Sequence, residues 1–195
     1  KLSKLAFSKV PDKTVDDGDI EGEHISRSLK DTEALAKRIA DTLTGGEVII
    51  LSGDLGAGKT TFTKGIGIAL GIKRVINSPT FTIMKIYEPT INVNNIEKLY
   101  HLDVYRLSNP EDDDALAEYF DLNGVAVVEW ADIIEDLLPD TLWHVTISNL
   151  GENTRLFKLE CFDDTNIENI KETLRSNNYE VINWFINKLS LSCSN

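Results

Sequence analysis

The stretch of sequence that decides the fold reads Gly53-Asp54-Leu55-Gly56-Ala57-Gly58-Lys59-Thr60-Thr61. Its first eight residues fit the pattern G-x-x-x-x-G-K-[ST], in which glycines let backbone N–H groups turn inward on phosphate groups. The apolar run at residues 47–52 precedes it and is typical of a buried parallel strand. A helical pattern at residues 59–70 follows and is closed by Gly71. This strand–loop–helix order is the context that a phosphate-binding P-loop requires.

The residues of this stretch predict a binding site for a magnesium-nucleoside triphosphate. Lys59 is expected to reach the β- and γ-phosphates, and the Thr60 hydroxyl to ligate Mg²⁺. Thr61 can donate to the α-phosphate, and the helix that starts near Lys59 adds free amides and the positive end of its dipole. The whole range 53–61 is therefore predicted to bind nucleotide.

Several absent motifs narrow the class of protein. No N-K-x-D motif for guanine follows the loop, which favours ATP over GTP, and no L-S-G-G-Q signature of a transporter ATPase is present. The six arginines are spread along the chain and do not cluster as in a kinase lid; they are Arg27, Arg38, Arg74, Arg106, Arg155 and Arg175.

The remaining pattern predicts an α/β protein. An amphipathic helix is expected at residues 28–43, capped by Ser28 or Asp31. Further strands are expected at residues 99–105, 125–130, 142–148 and 155–162. The last two flank a turn-rich segment and should form a hairpin added to the sheet edge. The predicted fold is a P-loop NTPase three-layer sandwich with a mainly parallel sheet, an antiparallel edge hairpin and a C-terminal helical tail.

The chain divides into three segments in this prediction. Residues 1–24 are expected to be a polar, disordered extension, residues 25–162 the P-loop ATPase domain, and residues 163–195 a helical extension packed on or beside it. Apolar residues mark the helical pattern of the last segment: Ile167, Ile170, Leu174, Val181, Trp184, Phe185 and Leu189. We expect the pair Trp184-Phe185 to serve packing of this tail.

Composition and charge exclude several other classes. The apolar fraction of 42% and the charged fraction of 27% are ordinary for a soluble globular protein of 195 residues. No apolar run is long enough to span a membrane, and two cysteines in unlike surroundings give no disulfide framework. We therefore expect a cytoplasmic protein without a membrane partner. The net charge of −12 argues against binding of nucleic acid by this chain alone.

Two carboxylates are candidates for the magnesium site. Asp103 lies in the second predicted strand, and Glu129 ends the strongly apolar strand of residues 125–130. A P-loop needs such a carboxylate at the end of a neighbouring strand to hold the metal and its water. Either residue could be the direct ligand, or one could bind the metal while the other orients the attacking water. We predict catalytic and metal-binding roles for both.

The segment Ser78-Pro79-Thr80-Phe81-Thr82 lies between the P-loop helix and the Asp103 strand. Switch segments of P-loop proteins occur at this place, and a hydroxyl there can sense the γ-phosphate. Thr80 is therefore a candidate catalytic residue. The alternative interpretation is a plain turn.

Four motifs together resemble one family. The segments GDLGAGKTTF, SPTFTI, YHLDVYRLSNPED and VVEW occur in the order and spacing of the TsaE (YjeE) family, over residues 28–162. The pattern HxDxYRL is the most distinctive of them. The resemblance implies a small, slow ATPase of bacterial tRNA threonylcarbamoyladenosine synthesis, which hydrolyses ATP with Mg²⁺ to reset its partners, TsaB and TsaD, between turnovers. It implies contact with tRNA only indirectly, through that complex.

The resemblance also assigns residues, and some assignments remain open. It places Thr60 at the magnesium threonine, Thr80 at the switch threonine, Asp103 at the acidic HxD position, and Glu129-Trp130 at the glutamate–tryptophan pair near the metal. The aromatic residues Tyr100 and Tyr105, with Arg106, could form a surface for tRNA or TsaD, or could serve packing. Residues 28–32 are a candidate wall of the adenine pocket. A small-molecule kinase and a nucleotide-dependent scaffold with negligible hydrolysis remain alternative functions.

Overall fold

A computed structural model describes residues 20–106, 115–116, 118–120 and 123–177. These residues form a seven-stranded sheet with the order β1-β7-β6-β2-β5-β4-β3. The strands are β1 (Gly22–Ser26), β2 (Val48–Ser52), β3 (Met84–Tyr87), β4 (Lys98–Asp103), β5 (Gly124–Glu129), β6 (Leu142–Asn149) and β7 (Arg155–Phe162). The described helices include α1 (Leu29–Ala40), α2 (Lys59–Ala69) and α3 (residues 167–177), and residues 115–116 and 118–120 are also helical. The predicted α/β fold is confirmed.

The four central strands are parallel, and the outer strands are antiparallel. Strand β2 pairs in parallel with β6 on one side and with β5 on the other, and β5 pairs in parallel with β4. The predicted hairpin is formed by β6 and β7, and β1 adds a further antiparallel strand outside β7. Because β1 starts at Gly22, residues 22–24, which the prediction assigned to an N-terminal extension, belong to the sheet.

The start of helix α1 is fixed by hydrogen bonds in its first turn. Ser28 Oγ accepts a hydrogen bond from Asp31 N at 3.1 Å, and Asp31 Oδ2 accepts one from Arg27 N at 2.8 Å. This reciprocal cap satisfies backbone donors that have no partner inside the helix. It confirms Ser28 as the N-cap. The helix ends at Ala40, before the predicted Leu43, although the Leu43 side chain is fully buried.

Alternating strand residues build a core on each face of the sheet. Ile49 and Leu51 of β2 belong to the core under α1 and α2, while Val48 and Ile50 belong to the core on the other face. The second core also receives three side chains of α3, which are Ile167, Ile170 and Leu174. Two helical layers thus enclose one sheet, and the tail residues from 178 onward lie outside the described residues.

Candidate functional site

The loop between β2 and α2 has the backbone geometry that its glycines predict. Gly53, Gly56 and Gly58 have φ of +150°, +79° and +114°, and Gly58 is the N-cap of α2. A side chain at Gly53 would bring its Cβ to 2.5 Å from the carbonyl oxygen of Ile147 on β6. The loop is therefore seated directly against the sheet, with free amides of α2 at its end.

Lys59 lies against this loop. Its Nζ donates to the carbonyl oxygen of Gly53 at 2.7 Å and to that of Asp54 at 3.2 Å. The ammonium group is thus held at the loop, and it can exchange these neutral acceptors for phosphate oxygens, which bind it more strongly.

Both predicted carboxylates end strands next to the loop. Asp103 of β4 and Glu129 of β5 are paired in register, and β5 is itself paired with β2, which leads into the loop. Both are buried, at 7% and 5% exposure. Asp103 Oδ1 accepts a hydrogen bond from Tyr105 N at 3.3 Å, and Glu129 Oε1 lies 3.0 Å from His101 Nε2.

The structure brings most of the predicted site residues to one cavity of about 560 Å³, here called the phosphate cavity. Its walls are Leu55, Gly56, Gly58, Lys59, Thr60, Thr61, Ser78, Thr80, Asp103, Tyr105, Glu129 and Trp130. Three predicted loop residues do not line the cavity: Gly53, Asp54 and Ala57. They belong to the backbone of the same loop. The cavity joins an ammonium group, hydroxyls and two carboxylates, which is the set that phosphoryl chemistry uses.

The predicted switch segment borders this cavity through Ser78 and Thr80, whose hydroxyl oxygens lie 2.6 Å apart. Ile83, which directly follows the segment, has a φ of +63°, which is strained for a β-branched residue. The carbonyl oxygen of Ile83 accepts a hydrogen bond from Asp103 N at 2.8 Å. The segment is therefore tied directly to the strand end that carries Asp103.

The aromatic residues near Asp103 divide between core and rim. Tyr100 is buried and packs against Tyr119 at a centroid distance of 5.3 Å, so the packing interpretation holds for it. Tyr105 and Trp130 are half-exposed, line the phosphate cavity and lie 4.9 Å apart between ring centroids. Trp130 has a φ of +65°, which turns the chain directly after Glu129.

A smaller cavity of about 100 Å³ lies on the other side of the loop and is here called the α1 cavity. It is lined by Ser26, Ser28, Leu29, Thr32, Ala57, Gly58, Thr61, Glu152, Asn153, Arg155 and Phe157. Three of the residues 28–32, the predicted wall of an adenine pocket, thus line a cavity beside the loop: Ser28, Leu29 and Thr32. The contribution of β1 and of the hairpin turn was not predicted, because it depends on the pairing of distant strands.

Arg155 is a site residue that the sequence did not indicate. Its Nε donates to the carbonyl oxygen of Ala57 in the loop at 2.9 Å. Its Nη1 donates to Asn149 Oδ1 and to the carbonyl oxygens of Gly151 and Thr154, between 2.8 and 3.0 Å. One side chain therefore joins the phosphate loop to the turn of the β6–β7 hairpin.

Two partly buried titratable groups, His144 and Asp132, lie outside the phosphate cavity. Burial lowers the pKa of His144, whose Nε2 lies 2.9 Å from Ser52 Oγ; Glu160 opposes this shift and Lys158 reinforces it. Burial also raises the pKa of Asp132, which lines a cavity of about 140 Å³ with Lys59 and Asn177. This third cavity therefore lies between the phosphate loop and the end of α3.

Fold and loop together define this molecule as a P-loop protein with an α/β sandwich. The family model described as "Threonylcarbamoyl adenosine biosynthesis protein TsaE" matches residues 26–157, which is more than half of the chain. The chain therefore belongs to the TsaE family.

Relatives and one solved structure agree with this assignment. The "tRNA threonylcarbamoyladenosine biosynthesis protein TsaE" of Bacillus subtilis is 47% identical over 126 residues, which cover 65% of this chain and 77% of that protein. The protein of the same name from Treponema pallidum is 37% identical over 139 residues, covering 67% and 94%. The crystal structure of Bacillus subtilis YdiB matches with a TM-score of 0.58 and 36% identity, covering 80% of this chain and 95% of that one.

Proposed function

We propose that this protein binds MgATP at the loop 53–61 and hydrolyses it slowly, in the service of threonylcarbamoyladenosine modification of tRNA next to the anticodon. The observation that carries the proposal is the convergence of Lys59, Thr60, Asp103 and Glu129 on one cavity. The family membership supplies the biological process. No helix among the described residues is long and apolar enough to cross a membrane, and tRNA modification sets the cytoplasm as the proposed location.

The phosphates are proposed to lie along the loop. Lys59 exchanges its bonds to the Gly53 and Asp54 carbonyls for the β- and γ-phosphates, and the amides at the start of α2 face the same anionic charge. Thr61 lines both cavities, which supports its predicted place at the α-phosphate. The nucleoside then continues into the α1 cavity, which is lined by Ser28, the N-cap of α1, and by Thr32 of α1.

The residues of the phosphate cavity fit Mg²⁺. The donors are one hydroxyl and two carboxylates, all of them oxygen ligands, which Mg²⁺ prefers. No cluster of three or more His, Cys, Asp or Glu side chains within the described ranges could hold a metal by itself. This suits Mg²⁺, which usually binds through one or two carboxylates together with substrate phosphates. Thr60 with Asp103, Glu129 or both would hold the ion, which neutralises phosphate charge when bound.

The two carboxylates, Glu129 and Asp103, are proposed to have different roles in hydrolysis. Glu129 is held at one oxygen by His101, and this fixed orientation suits a group that positions the attacking water. Asp103 is linked through its backbone to the switch segment, and this link suits a ligand whose position changes with the state of the γ-phosphate. Water is the proposed nucleophile, with Glu129 as the group that orients it.

A test of hydrolysis uses the protein alone, without any acceptor. We expect release of ADP and phosphate, and a loss of ATP affinity of at least about tenfold in Lys59→Ala, since charge-assisted hydrogen bonds contribute about 1.5–3 kcal/mol each. A reaction that starts only when a small-molecule acceptor is added would indicate a kinase. Capture of TsaB and TsaD with ATP but without turnover would indicate a scaffold.

The proposed partners are TsaB and TsaD, and tRNA is reached through them. The net charge of −12 disfavours direct binding of this chain to tRNA. We expect the ATP-bound form to bind the TsaB–TsaD pair more tightly than the ADP-bound form, which would let hydrolysis reset the complex. By thermodynamic reciprocity the pair then raises ATP affinity by the same factor.

This coupling is measured by calorimetry of partner binding with a non-hydrolysable ATP analogue, with ADP and without nucleotide. The exposed Thr80 borders the phosphate cavity, and Thr80→Ala should reduce the difference between nucleotide states while leaving nucleotide binding largely intact. Equal partner affinities in all three states would refute the coupling.

A further inference from the structure

His101 is a polar residue at a place where an apolar one would be expected. It lies in β4, a strand with neighbours on both sides, and it is fully buried with 0% exposure. Two of its neighbours along the strand, Tyr100 and Leu102, are buried core residues. Burial of an imidazole costs free energy unless both nitrogens find partners. Its presence therefore needs a reason other than packing.

The contacts of the ring point to that reason. His101 and Glu129 lie on the same face of the sheet, since His101 is paired with Val127 and Glu129 lies two residues further along β5. Nε2 of His101 lies 3.0 Å from Glu129 Oε1, and the ring tautomer with its proton on Nε2 donates to this oxygen. Nδ1 is buried and has no hydrogen-bond partner within the described part of the chain. Among the residues that the structure describes, the ring therefore makes one hydrogen bond, and that bond goes to Glu129.

We infer that His101 is a positioning residue that holds the Glu129 carboxylate by one oxygen and leaves the other to the phosphate cavity. This inference rests on the proposed hydrolysis. A glutamate at a strand end has three rotatable side-chain bonds, and a rigid ring beneath it restricts them. Catalysis by a water-orienting carboxylate is sensitive to such placement, because a displacement of about 1 Å can cost about a hundredfold in rate. His101 itself does not line the cavity, so it acts through Glu129.

The test compares two substitutions of similar size. Gln in His101→Gln places an N–H donor near the position of Nε2, whereas Leu in His101→Leu fills the space without a donor. We expect His101→Leu to lower kcat for ATP hydrolysis by about tenfold to a hundredfold. KM and the affinity for MgATP should stay within about threefold, since no nucleotide contact is removed. His101→Gln should recover most of the lost kcat.

A double-mutant cycle separates positioning from a general structural effect. In a Glu129→Gln background, His101→Leu should cause no further loss of kcat, because the group that it positions is already disabled. A further loss of the same size in that background would overturn the inference. Circular dichroism and urea unfolding check that each variant is folded. If His101→Leu does not fold, His101→Asn takes its place, because its amide is too short to reach Glu129.

The outcomes distinguish this inference from the proposed function. If the unmodified protein releases no more phosphate than Lys59→Ala, the proposed hydrolysis fails. If the protein hydrolyses ATP and His101→Leu has the same kcat as His101→Gln, the positioning role alone is refuted. A parallel rise in KM and fall in kcat in both variants would also refute it, because this would indicate a general distortion of the site.

Discussion

Gly53→Ala tests how the phosphate loop is seated. The added Cβ would lie 2.5 Å from the Ile147 carbonyl oxygen and 3.2 Å from Ala57 Cβ. The first of these atoms belongs to the backbone of β6, which is paired on both sides and cannot move cheaply. The φ of +150° adds strain for any residue with a side chain. The loop must therefore shift away from the sheet.

The expected loss of stability in Gly53→Ala is the sum of a steric cost and a backbone-conformation cost. Overpacking costs about 1–3 kcal/mol, and an unfavourable backbone conformation costs about a further 1–3 kcal/mol. Gly56→Ala is the matched control, since Gly56 has a φ of +79° and no atom within 4 Å of the added Cβ. Only the conformational cost, about 1–2 kcal/mol, applies to it. Both variants gain the same small amount from a less flexible unfolded chain.

The assay is urea unfolding followed by intrinsic tryptophan fluorescence, together with MgATP affinity by calorimetry. We expect Gly53→Ala to be less stable than Gly56→Ala by about 1–3 kcal/mol, because the contact with β6 is the term that differs between them. Equal free energies of unfolding for the two variants would refute the seating of the loop against Ile147.

Three further predictions concern the site and its surroundings. Asp103→Ala and Glu129→Ala should each abolish most ATP hydrolysis, and the variant whose MgATP affinity depends less on magnesium identifies the direct ligand; a parental rate in either would exclude a catalytic role for that residue. Arg155→Met should weaken MgATP binding about tenfold, since a hydrogen bond from a charged group contributes about 1.5–3 kcal/mol; Arg175→Ala, which removes an exposed ion pair away from the loop, is the control and should bind normally. Because burial lowers the pKa of His144, the unfolded chain takes up a proton before the folded chain as pH falls below about 6.5. Stability should therefore fall between pH 7 and pH 5, and His144→Gln should flatten this dependence in urea unfolding; an unchanged slope would contradict the assignment.

The elements that the sequence located have strong local signals. The apolar run before the loop and the helix after it appear in the structure as β2 and α2, and Ser28 caps α1 as its hydroxyl predicts. Strands β1 (GEHIS) and β3 (MKIY) were missed because, unlike the equally short β2 (VIILS), neither is a continuous apolar run. Strand β1 is positioned by pairing with β7, which is distant in the chain. Strand β3 is positioned by pairing with β4, from which a loop separates it.

In the site, too, some features have a local sequence signal and others depend on strand pairing. The loop 53–61 is a continuous motif, so its chemistry can be recognised from spacing alone. Asp103 and Glu129 could be named because each is a carboxylate in or at the end of a predicted strand. The pairing of Asp103 with Glu129 and the contact of Arg155 with the loop could not be predicted, since both depend on the register between strands far apart in the chain. Register is a property of the assembled sheet, in which a shift of one residue turns every side chain to the other face.

The sequence by itself determined the phosphate loop, the α/β class and the candidate carboxylates. All three can be recognised from the spacing of residues that are close in the chain and from runs of apolar residues. Tertiary structure alone decided that His101 lies beneath Glu129, that Arg155 joins the loop to the hairpin, and that Tyr100 is core while Tyr105 is rim. The physical reason is that local spacing fixes which face a residue can occupy. The neighbours on that face are fixed only when distant strands pair and the helices close over them.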